Sequence, residues 1–397
     1  MKVTFVSNYI NHHQIPVSTV LYEKLGDDYK FIQTEPMEEE RIRMGWGSDF
    51  DKLPFLLKYY EDEEKCKKLI LDSDVVIFGG CDDESYISQR LDEKKPVIRY
   101  SERLYKEGRW KWISPRGLVK KYHDHTSHSK DPVYLLCAGA YVADDFHLVH
   151  AYEGKRFRWG YFPEFIEYGE DERAAKQNAR RNHGRIEILW AGRFLDWKHP
   201  ESVAFLAKNL SEKKIPFHIT VVGDGAERNA TEQKIAELNL NEDVEFVGSK
   251  APAEVREYMN SADVFLLTSD YKEGWGAVCN EAMNSECAVV ASHAAGAVPT
   301  LIKHGRNGLV FPSGQFDVMS SLVEELAKDA DFRIKLGENA YETLSSEWNH
   351  KVAGERLFQF CEQVAGGEVK AWESGPISEA PVIHQDKMYR YLVGEGK

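Results

Sequence analysis

The chain has 397 residues, which predicts two or three domains, and its 42% hydrophobic and 29% charged residues are typical of a soluble globular protein. Acidic residues outnumber basic ones by 65 to 51, and the net charge of −14 argues against an overall basic nucleic-acid-binding surface. No run approaches the ~20 apolar residues of a membrane-spanning helix. The six cysteines are scattered without a C-x-x-C pair, so we expect reduced thiols in a cytoplasmic protein of two domains.

The first 168 residues alternate apolar runs with longer amphipathic segments, which predicts a domain built around a parallel sheet. The predicted strands are 3–6, 29–32, 74–78, 96–100, 133–137 and 156–159. Continuous apolar runs such as VVIF at 75–78 are typical of strands that helices cover on both faces. The highly charged segment 169–184 lacks core-forming aliphatic residues and is predicted to be a linker or an exposed helix.

The same alternation resumes over residues 185–350 and predicts a second domain. Its predicted strands are 186–190, 218–222, 244–247, 264–267, 288–291 and 309–311. Each domain is predicted to be doubly wound, because helical crossovers between parallel strands are right-handed. Residues 351–364 are predicted to form a helix, and the aromatic residues that follow indicate that 351–397 returns to the first domain.

The most informative segment is SDYKEGWGAVCNEAMNSE at 269–286, directly after the strand predicted at 264–267. Glu273 is predicted in the loop after that strand, and Glu281 in the helix that follows. The small residues between them would let backbone N–H groups approach a ligand closely. One carboxylate facing a sugar and a second accepting hydrogen bonds from a ribose diol would suit a nucleotide sugar. Two surface glutamates beside a capped helix would give the same spacing, so the segment alone leaves both readings open.

Four further motifs follow predicted strands of the second half. They are WAGRFLDWKHP at 190–200, VVGDGAE at 221–227, VEFVGSK at 244–250 and AAGAVPTLIKHGRNGLVF at 294–311. Together with 269–286 they resemble the C-terminal domain of family 4 retaining glycosyltransferases. The resemblance covers about residues 185–350 well and the N-terminal half more loosely. It implies the GT-B architecture, an α/β fold in which two Rossmann-like, doubly wound domains face each other across a cleft.

The resemblance also implies a donor site in the second domain. Arg193 and Lys198 would hold the donor diphosphate, the first by bidentate hydrogen bonds and the second as a point charge. Glu273 would be the catalytic carboxylate facing the donor sugar or its phosphate, and Glu281 would hold the ribose hydroxyls. The other donor-binding residues implied are Gly223, Val247, Lys250, Trp275, Gly276 and Ala277. No metal ion or other cofactor is implied. The alternative is that Arg193 and Lys198 are ordinary solvated charges on a loop.

The sequence departs from the family after the first strand and at a proline. Many members carry a glutamate after that proline, where this chain has Thr300, and the change keeps a non-catalytic nucleotide-sugar sensor as an alternative. The loop after the first strand lacks the usual glycines. Its Asn11, His12 and His13 are candidate contacts to the acceptor or to phosphate, or else ordinary loop residues.

Glu102 follows the fourth strand predicted in the first domain, near the position where the family often has a histidine. A carboxylate there would orient or deprotonate the acceptor hydroxyl, and we name Glu102 as a second catalytic candidate. The alternative is a surface ion pair with Arg99 or Arg103. Residues 79–83, GGCDD, are a further candidate for the acceptor side.

Two clusters of residues suggest a metal site and a membrane-binding segment. His123, Asp124, His125 and His128 resemble a metal-ligand set, although a solvated loop explains them better. Residues 103–122 hold seven basic residues, one acidic residue and two tryptophans in an otherwise acidic chain. This pattern predicts peripheral binding to an anionic membrane, with a helix that buries its tryptophans in the core as the alternative.

These features favour a retaining hexosyltransferase in cell-surface polysaccharide or glycolipid synthesis. We expect it to use a nucleotide sugar, most simply a UDP-sugar, and a glycan or lipid-linked glycan as acceptor, at the inner face of the membrane. The enzymatic alternatives are a sugar-nucleotide epimerase and a glycosidic phosphorylase of the same architecture, and no nucleic-acid partner is expected.

Overall fold

The computed structural model describes residues 1–39, 50–108, 114–182 and 184–394. The chain forms two units, each built around its own parallel β-sheet. The first unit comprises Met1–Glu164 and Glu347–His384, and the second comprises Phe165–Ser346 and Gln385–Lys397. The chain therefore passes from one unit to the other three times, after Glu164, Ser346 and His384.

The sheet of the first unit is parallel throughout, with the strand order β3-β2-β1-β4-β5-β6-β7. Its strands are β1 (Val3–Ser7), β2 (Tyr29–Gln33), β3 (Leu56–Lys58), β4 (Val75–Gly79), β5 (Val97–Ser101), β6 (Val133–Ala138) and β7 (Arg156–Trp159). Among the described residues of this unit, the α-helices are Ile15–Leu25, Glu63–Asp72, Ser88–Asp92, Pro115–Asp124, Val142–Leu148 and His350–Gly366. β1 and β4 are buried along their whole length, as expected for central strands covered on both faces.

The helix His350–Gly366 completes the first unit from the far end of the sequence. It begins after Asn349, whose side chain accepts a hydrogen bond from the backbone N–H of Val352, and it ends before Gly367 in the left-handed conformation. It packs against Ile15–Leu25, and the contact is close enough that a Cβ on Gly354 would lie 2.6 Å from the Cβ of Val20. Glycine at 354 therefore sets the distance between the two helices.

The sheet of the second unit is also parallel, with the strand order β10-β9-β8-β11-β12-β13. Its strands are β8 (Ile186–Ala191), β9 (Phe217–Val222), β10 (Val244–Gly248), β11 (Val264–Leu267), β12 (Ala288–Ser292) and β13 (Leu309–Phe311). Its helices are Glu170–Arg181, Glu201–Glu212, Arg228–Glu237, Pro252–Ser261, Val278–Asn284, Val298–Leu301, Phe316–Lys328, Ala330–Ser346 and Gln385–Leu392. The loops after these strands share one edge of the sheet, here called the carboxyl edge, which is where open α/β sheets bind ligands.

The α/β class and the two parallel, doubly wound sheets confirm the predicted fold class. The segment predicted to be a linker or an exposed helix forms, over residues 170–181, a mostly exposed helix of the second unit. The Arg180 guanidinium of this helix is buried and donates to the Glu286 carbonyl. The predicted return of 351–397 to the first unit holds for the residues up to His384. The helix Gln385–Leu392 belongs instead to the second unit, where Met388 is buried.

Candidate active site

Lys198 and Glu273 meet at the carboxyl edge of the second sheet, in the loops that follow the adjacent strands β8 and β11. The Lys198 Nζ lies 2.5 Å from the Glu273 Oε2, which also accepts a hydrogen bond of 3.1 Å from the Ser269 hydroxyl. The two side chains are only 14% and 13% exposed. The structure thus joins two of the predicted donor residues into one nearly buried ion pair.

The lysine is held in place by its neighbours. The Trp190 indole N–H donates to the Thr268 hydroxyl, which in turn donates to the Lys198 carbonyl at 2.6 Å. The Lys198 Nζ also lies 4.7 Å from the centre of the Trp197 ring, a cation–π distance. Backbone and ammonium are both fixed, so the position of this charge is set before any ligand binds.

Arg193 lies on the same loop as Lys198, and its side chain is exposed. Within the described ranges, the Arg193 guanidinium has neither an ion-pair partner nor a hydrogen-bond acceptor. The loop therefore presents one cation that is already paired with Glu273 and a second that is open to an anion from solvent.

Two glycines hold this loop against the next one. Gly223 and Gly225 follow β9 with φ of 135° and 148°, and a Cβ on them would lie 1.9 Å from the Gly192 carbonyl oxygen and 2.6 Å from that of Phe194. The Phe194 N–H donates to the Asp224 carbonyl at 2.9 Å across the same contact. In the structure, the missing side chain of Gly223 makes room for the loop that carries Arg193. The predicted contact of Gly223 with the donor stays a prediction.

Glu281 lies inside the second unit, on the helix Val278–Asn284. It is 8% exposed, and its Oε1 lies 3.9 Å from the Arg256 Nε. Burial raises the pKa of Glu281, and the Arg256 charge opposes this rise. The alternative of two surface glutamates is therefore wrong, since Glu273 and Glu281 are both largely withdrawn from solvent.

Trp275, Gly276 and Ala277 connect the Glu273 loop to that helix. The Trp275 side chain is fully buried, and its indole N–H donates to the Asn280 Oδ1 at 2.8 Å, so the ring anchors the loop in the core. Gly276 has a φ of 92°, which favours glycine, and Ala277 immediately precedes the helix. Their predicted backbone contacts to the donor stay predictions.

Val247 and Lys250 lie at the end of β10, the outermost strand on that side of the sheet. Both are partly exposed, and the Lys250 Nζ is 3.9 Å from the Glu254 Oε1. β9 separates this strand from β8, so the predicted donor residues are spread along the carboxyl edge rather than gathered at one point. Their predicted place beside the base stays a prediction.

In the first unit, Glu102 follows β5 and is held by two donors. The Tyr161 hydroxyl donates to its Oε1 at 2.5 Å, and Lys106 forms an ion pair with its Oε2. The alternative of a surface pair with Arg99 or Arg103 is wrong, because these two arginines bind other carboxylates. Those partners are Glu84 and Asp145.

The predicted histidines join the same cluster through Tyr161. The His13 ring is stacked 5.6 Å from the Tyr161 ring with an interplanar angle of 6°, and the His12 ring is 3.8 Å from that of His13. The Asn11 side chain fixes the turn by accepting a hydrogen bond from the His13 N–H at 3.0 Å. Burial and the charge of Glu102 raise the pKa of Tyr161 well above its usual value, so its hydroxyl stays a donor.

Sequence reasoning missed Tyr161 and Lys106. Lys106 lies four residues after Glu102, a spacing at which opposite charges can pair. Tyr161 follows β7 and is 59 residues from Glu102. A polar aromatic residue just after a buried strand is the signal that could have drawn attention to Tyr161, because such residues also reach the carboxyl edge.

The segment after β4 lines an open pocket of about 520 Å³ on the carboxyl edge of the first sheet. Its lining residues are Asn8, Glu35, Gly80, Cys81, Asp82 and Asp83. Burial, together with nearby carboxylates, raises the pKa of Cys81 to about 12, so the thiol stays protonated. The pocket therefore presents an acidic, polar surface, and its predicted use by the acceptor stays a prediction.

The histidines around residue 125 are held by contacts with neighbouring side chains. The His125 Nδ1 lies 3.1 Å from the Tyr152 hydroxyl, and the His128 Nδ1 lies 3.2 Å from the Asp131 Oδ2. Across residues 1–39, 50–108, 114–182 and 184–394, no group of three His, Cys, Asp or Glu side chains is arranged to hold a metal ion.

The basic segment is described only in part. Arg109, Lys111 and the two tryptophans fall within 109–113, outside the described residues. The basic helix, Pro115–Asp124, buries none of its residues and exposes an apolar group beside its cations. The exposed apolar side chains are Leu118, Val119 and Tyr122. No helix in the described part of the chain is both long enough and apolar enough to cross a bilayer.

Residues 171–343 match the family described as glycosyl transferases group 1. All the predicted donor residues, from Arg193 to Glu281, lie within this stretch. This part of the chain is therefore similar to the members of that family. The match begins at the helix Glu170–Arg181 and ends within Ala330–Ser346, so it covers most of the second unit.

Two curated relatives are glycosyltransferases with moderate identity. The amylovoran biosynthesis glycosyltransferase AmsK of Erwinia amylovora is 26% identical over 188 residues, which is 46% of each chain. The D-inositol 3-phosphate glycosyltransferase of Corynebacterium aurimucosum is 29% identical over 175 residues, 43% of this chain and 41% of that one. The chain thus spans about half the length of the curated relatives it matches.

Solved structures extend the likeness to both units. Anabaena Alr3699/HepE in complex with UDP superposes with a TM-score of 0.70 at 14% identity, over 91% of this chain and all of that one. WaaG, a glycosyltransferase involved in lipopolysaccharide biosynthesis, gives a TM-score of 0.61 at 15% identity, over 90% and 98% of the two chains. At such identities the likeness shows the fold alone, and it confirms the GT-B fold predicted from the sequence.

Proposed function

We propose that the protein is a retaining glycosyltransferase that transfers a sugar from a UDP-sugar to a glycan or lipid-linked glycan. The observation that carries this proposal is the nearly buried Lys198–Glu273 pair beside the exposed Arg193, at the carboxyl edge of a glycosyl transferases group 1 domain. HepE has been solved in complex with UDP and with UDP-glucose, and AmsK is a glycosyltransferase of amylovoran biosynthesis. These similarities support the proposed donor and acceptor classes.

Charge stabilisation on the leaving diphosphate is the main chemical task of the donor side. Arg193 would bind the diphosphate first, because its guanidinium is exposed and lacks a partner in the described part of the chain. Lys198 would then lie between the Glu273 carboxylate and the phosphate, and its positive charge would stabilise the negative charge that grows as the anomeric bond breaks. Bond breaking and bond formation occur on the same face of the sugar, and the departing phosphate oxygen accepts the proton of the acceptor hydroxyl.

We assign the acceptor side to the first unit, at Glu102. Both of its carboxylate oxygens already accept a hydrogen bond, one from Tyr161 and one from Lys106. A carboxylate held in this way suits the orientation of an acceptor hydroxyl better than the removal of its proton. The stacked His13 ring is the candidate that limits how a sugar ring approaches Tyr161.

We further propose that the basic helix binds an anionic membrane surface, which would suit a lipid-linked acceptor. Leu118, Val119 and Tyr122 are 37%, 58% and 56% exposed, and Arg116 and Lys120 lie on the same helix. Exposed apolar side chains interleaved with cations are typical of helices that lie in the membrane interface.

The proposed function is tested by incubating the protein with UDP-sugars, with and without a polysaccharide or lipid-linked acceptor fraction. We expect the release of UDP to require the acceptor, and we expect the product to keep the anomeric configuration of the donor. Conversion of the donor without an acceptor would identify an epimerase instead. Binding of UDP-sugars without turnover would identify a sensor, the alternative raised by Thr300.

We also propose that the transfer needs no divalent metal ion, because Arg193 and Lys198 supply the positive charge that a metal ion would give to the diphosphate. The same assay in excess EDTA tests this point. Undiminished turnover is expected, and loss of turnover that added Mg²⁺ or Mn²⁺ restores would overturn it.

A further inference from the structure

His293 is the first residue after β12, and its ring is buried where three segments of the second unit meet. Its Nδ1 accepts a hydrogen bond of 3.1 Å from the Ser313 backbone N–H, just beyond β13. Its Nε2 lies 2.8 Å from the hydroxyl oxygen of Tyr271. Tyr389, on the helix Gln385–Leu392, packs edge-on against the ring at 5.7 Å.

These contacts fix the protonation state of the ring. A backbone N–H can only donate, so the Nδ1 of His293 is the unprotonated acceptor, and the proton is on Nε2, which donates it to Tyr271. Burial lowers the pKa of His293 to about 4, so the imidazole is neutral at physiological pH. The ring therefore connects Ser313 to Tyr271 through two hydrogen bonds of defined direction.

Tyr271 belongs to the loop that carries Glu273. This loop runs beside the segment after β12, where the Gly296 N–H donates to the Glu273 carbonyl at 3.4 Å and the Ala297 N–H donates to the Trp275 carbonyl at 2.9 Å. These backbone contacts hold the loop at and after Glu273. The contact between His293 and Tyr271 adds a side-chain anchor two residues before it.

We infer that His293 is a positioning residue, which acts through Tyr271 to hold the loop in the conformation that presents Glu273 to Lys198 and to the donor. The inference rests on the proposed function, since it concerns the donor site of the same reaction. This anchor lies outside the motif at 269–286, because His293 follows β12. It is supported by Ser313, beyond β13, and by Tyr389 on the helix Gln385–Leu392.

The inference is tested with two amide substitutions that separate the two hydrogen bonds of the ring. The side chain of His293→Asn reaches about as far as Nδ1, so it keeps the acceptor for Ser313 and loses the donor to Tyr271. The longer His293→Gln reaches about as far as Nε2, so it keeps the donor to Tyr271 and loses the acceptor for Ser313. We expect the KM for the UDP-sugar to rise about threefold to tenfold in His293→Asn and to change less than twofold in His293→Gln.

Tyr271→Phe provides a variant that removes one oxygen atom and leaves the ring in place. It should raise the donor KM by the same factor as His293→Asn while the KM for the acceptor is unchanged, and the two changes combined should have no more effect than either alone. An unchanged donor KM in Tyr271→Phe, or equal donor KM values for His293→Asn and His293→Gln, would overturn the inference. If the wild-type protein neither binds nor turns over any UDP-sugar, the proposed function itself fails.

Discussion

Replacing Gly223 with alanine tests how the donor loop is packed. The Cβ of Gly223→Ala would lie 1.9 Å from the Gly192 carbonyl oxygen, well inside the ordinary contact distance, and the φ of 135° is one that alanine rarely adopts. The backbone strain costs about 1 kcal/mol and the overlap about 1–3 kcal/mol, so we expect a loss of roughly 2–4 kcal/mol in the stability of the second unit. For a unit of this size, the melting temperature should fall by about 5–15 °C.

Gly314→Ala is the matched control, because Gly314 lies in the same unit with a φ of 76° and has nothing within 4 Å of its would-be Cβ. Gly314→Ala should lose only about 1 kcal/mol of stability, which is the cost of the backbone strain. Both variants are compared with the wild type by thermal melting and by UDP-sugar binding. We expect only Gly223→Ala to lose affinity for the donor, because relief of the overlap must displace the loop that carries Arg193. Equal melting temperatures and equal donor affinities for the two variants would refute this reasoning.

Three further sets of variants test the donor site and the basic helix. Glu281→Ala should weaken UDP-sugar binding by about 1.5–3 kcal/mol, measured by calorimetry, with a smaller effect on the turnover of bound donor. Burial raises the pKa of Glu281, so the folded wild type should lose stability relative to Glu281→Gln as the pH rises above about 4.5. Arg193→Ala should lower turnover at saturating donor, since its partner charge grows in the transition state, and wild-type turnover would contradict its assigned role. Finally, Arg116→Gln combined with Lys120→Gln should reduce co-sedimentation with anionic vesicles at low salt, because each cation near the surface contributes about 1 kcal/mol. Lys208→Gln with Lys234→Gln, which removes two exposed charges elsewhere, should leave co-sedimentation unchanged.

The place of the proposed donor residues in the fold could be predicted from the sequence, because these residues lie within short motifs at strand ends. Arg193 and Lys198 follow β8, Glu273 follows β11, and parallel strands bring such positions to one edge. The steric reason why residue 223 must be glycine could not be predicted in this way. It depends on the distance to Gly192, which belongs to another loop and is set by the pairing of β8 with β9.

The acceptor side and the His293 anchor depend on contacts between segments far apart in the sequence. Tyr161 is 59 residues from Glu102 and His293 is 22 residues from Tyr271, and neither pair forms a local pattern. The short strand Leu56–Lys58 was also missed, because three partly buried residues carry too little periodicity to be recognised. Periodicity predicts elements and motifs predict strand ends, but side-chain pairing across the sheet requires the folded chain.

The late position of the helix His350–Gly366 has a consequence for protein synthesis. The seven strands of the first unit have all been translated once Trp159 is made. The face of β6 and β7 that receives Phe360 stays uncovered until roughly 200 more residues follow. At typical elongation rates of 5–20 residues per second, this interval lasts about 10–40 s. The aromatic surface formed by Tyr134 and Phe157 is therefore open on the ribosome for that time. Nascent chains of this protein should depend on a chaperone during this interval, and the dependence should end when the helix emerges from the ribosome.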